Sequence, residues 1–539
     1  MGFARIVSLC ALVARVLALA TESSFEPTNF NVTAALLANG VSSDDIPSIQ
    51  ALNERSSLGS CPVACRALET IFGSTKLLSE GSSDYTNFTG AYWSAQQNAV
   101  KPRCVFTPSK PLDVSTALLI SRLTQCPFGV KGGGHAAFAG SSSIEGGITI
   151  ALQNFKQIVP SADRKTVDVG PGNRWVNVYQ TLEPQGLNVV GGRIFSVGVP
   201  GLILGGGISF FSNKYGWACD NVASYEVVTA SGKTINVTPV SYPDLYWALR
   251  GGGNNFGVVT NFKLNAFPLG KMWGGGRLYS NESFPAALDA IYKFATIGSS
   301  TDLDAAQIIS FGYSEGFGPL AAAQLEHAKP IENASVFDDF NAIPFVQSTT
   351  AIQYQSEITI TMGEGVPDGA RETYWDVSFK VDRGLFTFLV NTFYELLPDI
   401  VDAANLLPTI SIQAITEGQL AGMQKNGGNA LGLDPANGPY FIMNMGTMWT
   451  DIADDVRILK FHSEVIKRVK AEAQAKGLDN DFIYQNYASQ FEDVFGSYGK
   501  ANQKRLVEVS KKYDPTGVFQ KLQPGYFKLE GGAPNPNMP

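Results

Sequence analysis

Between residues 104 and 268 the pattern of apolar and polar positions changes period every few residues. CVFTPS (104–109) reads as a short strand stopped by proline, and VSTALLISRL (114–123) has helical spacing with Asp113 near its start. FGVKG (128–132) and GITIAL (147–152) are extended again. TVDVGPG (166–172) alternates, and WVNVYQTL (175–182) turns helical. SYEVVTASGKTINVT (224–238) predicts two strands around a Ser-Gly-Lys turn, and FGVVTNFKLNAF (256–267) a closing strand.

Beyond Gly270 the units lengthen. ITITMG (358–363), TISIQAI (409–415) and YFIMNMGTMW (440–449) read as strands, and LFTFLVNTFYELL (385–397) and residues 451–477 as long helices. In the last of these, Ile452, Val456, Leu459, Ile466 and Val469 recur at helical spacing, and Gly477 suits the C-terminal cap. His462 on that helix reads as a structural or surface residue. NQKRLVEVSKKY (502–513) predicts a final helix ended by DPTG. No repeat recurs at a fixed period, which argues against solenoids and propellers.

The length of 539 residues predicts several cores. Charged residues are only 16% against 44% hydrophobic, so the chain reads as folded and core-rich. A net charge of −8 with no Lys/Arg run gives no reason to expect nucleic acid or an anionic membrane as partner. Residues 1–20 have a basic start, an apolar stretch interrupted by Arg15, and small residues at Ala18 and Ala20; they read as a secretory signal peptide. Residues 21–60, without clear periodicity, read as a loosely packed lead-in. Sequons at Asn31, Asn87, Asn236, Asn281 and Asn333 fit a glycosylating pathway, so a secreted glycoprotein is expected.

Of six cysteines, Cys10 leaves with the signal, and the remaining five cannot all pair within one chain. One bridge from the Cys61/Cys65 pair to Cys104 is expected, with Cys65–Cys104 the preferred pairing, while Cys126 and Cys219 read as buried thiols. The three histidines, at 135, 327 and 462, lack the spacing of zinc ligands, and no metal is expected.

Gly-Gly-Gly triplets stand at 132–134, 205–207, 251–253 and 274–276. Glycine lets backbone N–H groups approach a ligand closely, so three triplets in a half that alternates short strands and helices point to a nucleotide site. Two familiar phosphate motifs fail. SGKT (231–234) lacks the earlier glycine of a P-loop, where Val227 stands, and GPGNRW (170–175) has Trp175 at the third glycine of a dinucleotide fingerprint.

The segments VKGGGHAAFAGSSSIEGGITIAL, VDVGPGNRW, VGVPGLILGGGISFFSNKYGWACDNV, WALRGGGNNFGVVTNF, and YQNY with YDPTGVFQKLQPGYF follow in order. Together, from about Cys65 to Leu529, they resemble FAD-linked oxidases with a PCMH-type FAD domain, in the berberine-bridge-enzyme-like branch of the vanillyl-alcohol oxidase family. The resemblance implies an α+β fold: a two-part FAD-binding domain, 61–268 completed by 479–530, with an inserted α/β substrate domain, 269–478, built on a large antiparallel sheet. Residues 531–539 would be a tail.

It also implies roles. His135 would bond covalently to the flavin, with Lys131, Gly132, Gly133 and Gly134 in the diphosphate loop and Gly140 and Ser141 continuing it. Gly198, Val199, Gly205, Gly206, Ser209, Asp220, Gly257 and Val259 would form the second half of the cofactor groove, with Tyr484 and Asn486 on the flavin side. Relatives often carry a second cysteine link, but GRIFSVG (192–198) has Ile194 there, so attachment through His135 alone is implied. Val197, a small residue before Gly198, implies oxygen access and an oxidase.

Tyr487, the second tyrosine of YQNY, matches a catalytic base of sugar-oxidising relatives. Its ordinary pKa of about 10 requires a nearby positive group or a relay, and the sequence does not identify one. Gln413, on a predicted strand above the ring, is a weaker substrate-contact candidate and reads better as an ordinary core-edge glutamine. The expectation is an enzyme taking a hydride from an alcohol or related C–H group of a small secondary-metabolite substrate, with O2 reduced to H2O2. The alternatives are an oligosaccharide oxidase acting at the anomeric carbon and a non-catalytic binding protein. Substrate identity and oligomeric state are not legible.

Overall fold

The computed structural model describes residues 25–47 and 60–539. The predicted leader, residues 21–24 and residues 48–59 lie outside the described residues. Three sheets organise the rest. The first has four strands in the order Leu77–Ser79, Cys104–Phe106, Ile148–Ala151, Phe128–Lys131. The last three pair in parallel, and Phe128–Lys131 delivers the chain directly into the glycine triplet at 132–134. Ligands of parallel sheets collect beyond such carboxyl ends.

The second sheet is built around Val258–Pro268, which pairs antiparallel with Val222–Val228, Thr166–Val169 and Leu187–Val189. The chain passes from this strand into Met272–Ser280, the first strand of a nine-stranded antiparallel sheet, so the change of texture near Gly270 coincides with a change of sheet. Side chains alternate across a strand, and this decides what each face carries. Ile410, Ile412 and Ala414 pack into a core with helices Arg383–Leu396 and Asp455–Ala475, as do Trp375, Val377 and Phe379. Gln413, Tyr374 and Asp376 point the other way. Asp376 accepts the Tyr484 N–H at 2.6 Å, which docks the YQNY loop on this sheet. Val518 and Phe519, near the C-terminus, return to pack against the first sheet.

Three expectations are corrected. Cys126 is no thiol: Cys61 and Cys65, four residues apart on helix Ser60–Phe72, present one face and bond to Cys126 and Cys104 respectively. Gln125 in the left-handed region turns the chain after helix Pro111–Thr124 and brings Cys126 to within 4.8 Å, Cα to Cα, of Cys61. Cys219 stays free and buried.

ITITMG is helical, within Gln355–Gly363. Its four-residue alternation is too short to fix a period, whereas Ile358 and Met362 at i, i+4 both reach the core. Ser356 donates from its N–H and hydroxyl to Glu183, and the Glu357 carboxylate accepts the Tyr354 N–H at 2.7 Å. These bonds hold the first turn.

The lead-in is not loose where described. Helix Val32–Ala38 buries Leu36, and Glu26 forms a buried two-pronged ion pair with Arg122 at 2.7 and 2.9 Å. His462 is fully buried against Thr447 at 2.8 Å, and burial pushes its imidazole down to about 3. Among the described residues no helix is long and apolar enough to cross a membrane, and no cluster of His, Cys, Asp and Glu could hold a metal ion.

Glu372, on strand Arg371–Lys380, joins the layers through its backbone, which bonds at both ends to the Gln96 amide. Burial pushes its carboxyl up to about 9. The folded chain therefore keeps a proton that the unfolded chain loses above roughly pH 4.3, and stability falls as pH rises through that window. One such proton contributes a slope of about 1.4 kcal/mol per pH unit. In Glu372→Gln this increment is expected to disappear from the pH dependence of chemical denaturation between about pH 5 and 8; an unchanged slope would refute it.

Candidate functional site

A cavity of about 280 Å³ lies between the first two sheets and the Tyr374 face of the third. Its floor is the loop that leaves Phe128–Lys131. Among the described residues none accepts a hydrogen bond from the backbone N–H groups of residues 133–141, whereas that of Ser142 goes to Gln97 at 3.0 Å. A run of unpaired amides on glycine-rich backbone is a donor set for an anion such as a diphosphate. A Cβ on Gly133 would stand 2.6 Å from the Gly198 Cα, so only glycine lets this loop close on the start of helix Val199–Leu204.

His135 follows the glycines. Its imidazole stacks on Trp93 with ring centroids 4.3 Å apart, and its Nε2 meets the Ser196 hydroxyl at 3.1 Å. Burial pushes the ring down to about 4, which leaves it neutral, with a nitrogen lone pair, at neutral pH. Trp93 stacks in turn on Tyr374 at 5.4 Å, and Tyr374 meets Tyr487 edge-on at 6.3 Å. An aromatic wall thus runs from the histidine to the tyrosine.

The Tyr487 oxygen accepts from the Arg193 guanidinium at 2.6 Å and from the Gln413 amide at 3.1 Å. Arg193 is the positive neighbour that the sequence left unidentified. It lies in GRIFSVG, 294 residues before its partner. Tyr484 serves the backbone instead. Its hydroxyl accepts the N–H groups of Gly207 and Ile208 at 3.0 and 3.2 Å, and burial pushes its phenol up. Asn486 donates to that hydroxyl and to the Leu202 carbonyl, which ties the loop to helix Val199–Leu204.

Of the residues expected from sequence, the cavity brings together Gly132, Gly133, Gly134, His135, Ser141, Val197, Gly198, Gly257, Val259, Tyr484, Asn486 and Tyr487. Others lie off its wall. Lys131 turns away onto the Tyr92 ring, 3.6 Å from its centroid, and burial pushes its ammonium down to about 7. Gly140 packs against Gly525, and Val199 is buried in its helix. Gly205 and Gly206 pack behind Asn486 and Trp217, and Ser209 lines a smaller second cavity with Gln413. Asp220 is fully buried, accepting from the Trp217 N–H and Asn429 and facing Arg250 at 3.5 Å. It does not line the cavity. Sequence reasoning missed Trp93, Ser196, Arg193 and Tyr374; only the closeness of Arg193 and Ser196 to Ile194 could have drawn attention to them.

The family profile described as FAD binding domain matches residues 102–238, and that described as berberine and berberine like matches 483–524. The chain is 34% identical over 492 residues, 87% of its length and 95% of the relative's, to the FAD-dependent monooxygenase tpcD of Cochliobolus heterostrophus. It belongs to the berberine-bridge-enzyme-like FAD-linked oxidoreductases. The FAD-dependent monooxygenase FUP4 of Fusarium proliferatum is 35% identical over 452 residues, 81% of this oxidoreductase and 87% of that protein. Solved structures share the fold: 6-hydroxy-D-nicotine oxidase of Arthrobacter nicotinovorans superposes with a TM-score of 0.68 at 19% identity, covering 84% of this chain and 97% of that one. The xylooligosaccharide oxidase of Myceliophthora thermophila, in complex with xylobiose, gives 0.67 at 16%, with 88% and 99% covered.

FAD fits what this flavoenzyme presents. The unpaired amides of 133–141 suit its diphosphate, and the apolar wall of Val197, Leu202, Leu204 and Ile208 suits a flat ring system. Both profile matches contribute to the cavity lining, the glycine loop from the first and the tyrosine loop from the second.

Proposed function

We propose that the protein is a secreted FAD-linked oxidase that takes a hydride from an alcohol or related C–H group of a small organic substrate. The observation that carries the reading is one cavity wall holding His135 at one end and, at the other, Tyr487 with two donors on its oxygen. The chemistry that bound FAD would supply is a hydride acceptor and a route for the electrons to O2. His135 is the single covalent tether, because Ile194 cannot supply a second. Acting as the phenolate, the Tyr487 oxygen takes the substrate hydroxyl proton and becomes the phenol, while Arg193 and Gln413 hold that oxygen in place and meet its charge. Trp93 and Tyr374 exclude water along the wall. Residues 61–268 and 479–530 form the FAD domain, and 269–478 the substrate domain. Two disulfides and five exposed sequon asparagines support secretion.

The relatives' name of monooxygenase sets the alternative that the test must separate. The expected result is peroxide released one-for-one with product from a phenolic or allylic alcohol and no label from 18O2 in that product. Label in the product would overturn the oxidase reading in favour of oxygen insertion. A dominant response to cello- or chito-oligosaccharides would overturn the substrate class.

A further inference from the structure

Arg193 is the only formally charged side chain among the described residues lining the cavity, and no carboxylate lines it. Among the described residues none forms an ion pair with it, and its hydrogen bond goes to the Tyr487 oxygen. A guanidinium carries five N–H donors in a planar fork, so one bond leaves donors free beside the reacting position.

A carboxyl that could cancel its charge is that of Glu326, on strand Gly318–His327. Glu326 and Arg193 share the wall of the second cavity, about 20 Å³, which opens where strands Ala305–Ser314 and Leu407–Ile415 cease to pair beyond Ile309 and Ile412. Glu326 is 1% exposed, and neither of its carboxyl oxygens has a hydrogen-bond partner among the described residues. Burial pushes this carboxyl well above the usual range against the pull of the Arg193 charge, so burial weakens it as a counter-ion for Arg193. An uncompensated cation in a half-buried site is costly unless an anion meets it. On the main-cavity side, apart from the wall given to the flavin ring, its surroundings are Ile194, Tyr374 and Tyr484, which accept a flat apolar body.

We propose that the substrate is an organic anion, an apolar body bearing a carboxylate or an ionised phenol or enol oxygen, and that Arg193 selects it by receiving that oxygen beside Tyr487. The inference rests on the cavity being the site of turnover. A charge-assisted bond to a guanidinium corresponds to about ten- to hundredfold in affinity over a neutral isostere.

The test is calorimetry on the purified holoprotein with cinnamate and cinnamamide, which differ in charge and hardly in shape. The wild type is expected to bind cinnamate at least about tenfold more tightly. Arg193→Gln should erase that preference while holding FAD and binding cinnamamide as before, and Arg193→Lys should keep part of it. Equal binding of the two probes by the wild type, no binding of either, or a preference that survives in Arg193→Gln would overturn the proposal. Binding is read without turnover, so its failure is separable from that of the oxidase reading. A protein that prefers cinnamate yet releases no peroxide sinks only the oxidase reading, and one that releases peroxide but ignores charge sinks only this one.

Discussion

Acid-precipitated His135→Ala protein is expected to be white, with all of its flavin in the supernatant, whereas the wild-type pellet stays yellow. The physical basis is the state of the imidazole. A protonated ring has no free lone pair, but burial holds this one neutral down to about pH 4. Trp93 on its face and Ser196 at Nε2 fix the ring's orientation. The amides of 133–141 remain in the variant, so non-covalent FAD should still copurify and give native protein its colour. That retention separates a lost bond from a lost fold. A yellow acid pellet from His135→Ala would place the covalent link elsewhere, and a colourless wild-type pellet would deny the link altogether.

The first half of the chain was legible because its elements are short and its turns are marked by glycine and proline. The glycine triplet, the strand before it and the histidine after it form one local unit, so residues 128–135 could be read as a site without tertiary information. Arg193 could not. Its role depends on a contact with Tyr487 across 294 positions, and nothing local distinguishes it from a surface arginine.

Asp220 shows the complementary limit of local reading. Its segment matches a cofactor-groove landmark, but the carboxylate is consumed by Trp217, Asn429 and Arg250 within the core. Cys126 was misread because an apolar neighbourhood suits a thiol and a disulfide equally; only the left-handed turn at Gln125 decides between them. ITITMG failed through its shortness, since four alternating residues also contain the i, i+4 pair that buries a helix. Gln413 was read on a strand, which Leu407–Ile415 is, yet its partner became visible only when the tyrosine loop was docked by Asp376.

Tyr487→Phe is expected to lower the rate of flavin reduction by about a hundredfold to ten-thousandfold, some 3 to 5 kcal/mol in the barrier. The substitution removes one oxygen and keeps the ring, whose edge contacts with Tyr374 and Tyr484, at 6.3 and 4.9 Å between centroids, hold the loop. FAD content and the acid-stable colour should therefore be unchanged, since neither His135 nor the amide run touches this oxygen. Because the oxygen acts on the proton that leaves during reaction, kcat and kcat/KM should fall together with little change in KM. Stopped-flow reduction under anaerobic conditions checks this directly. A fall confined to KM would make Tyr487 a binding residue, and an unaltered rate would remove it from the chemistry and leave Arg193 and Gln413 bonded to a merely structural phenol.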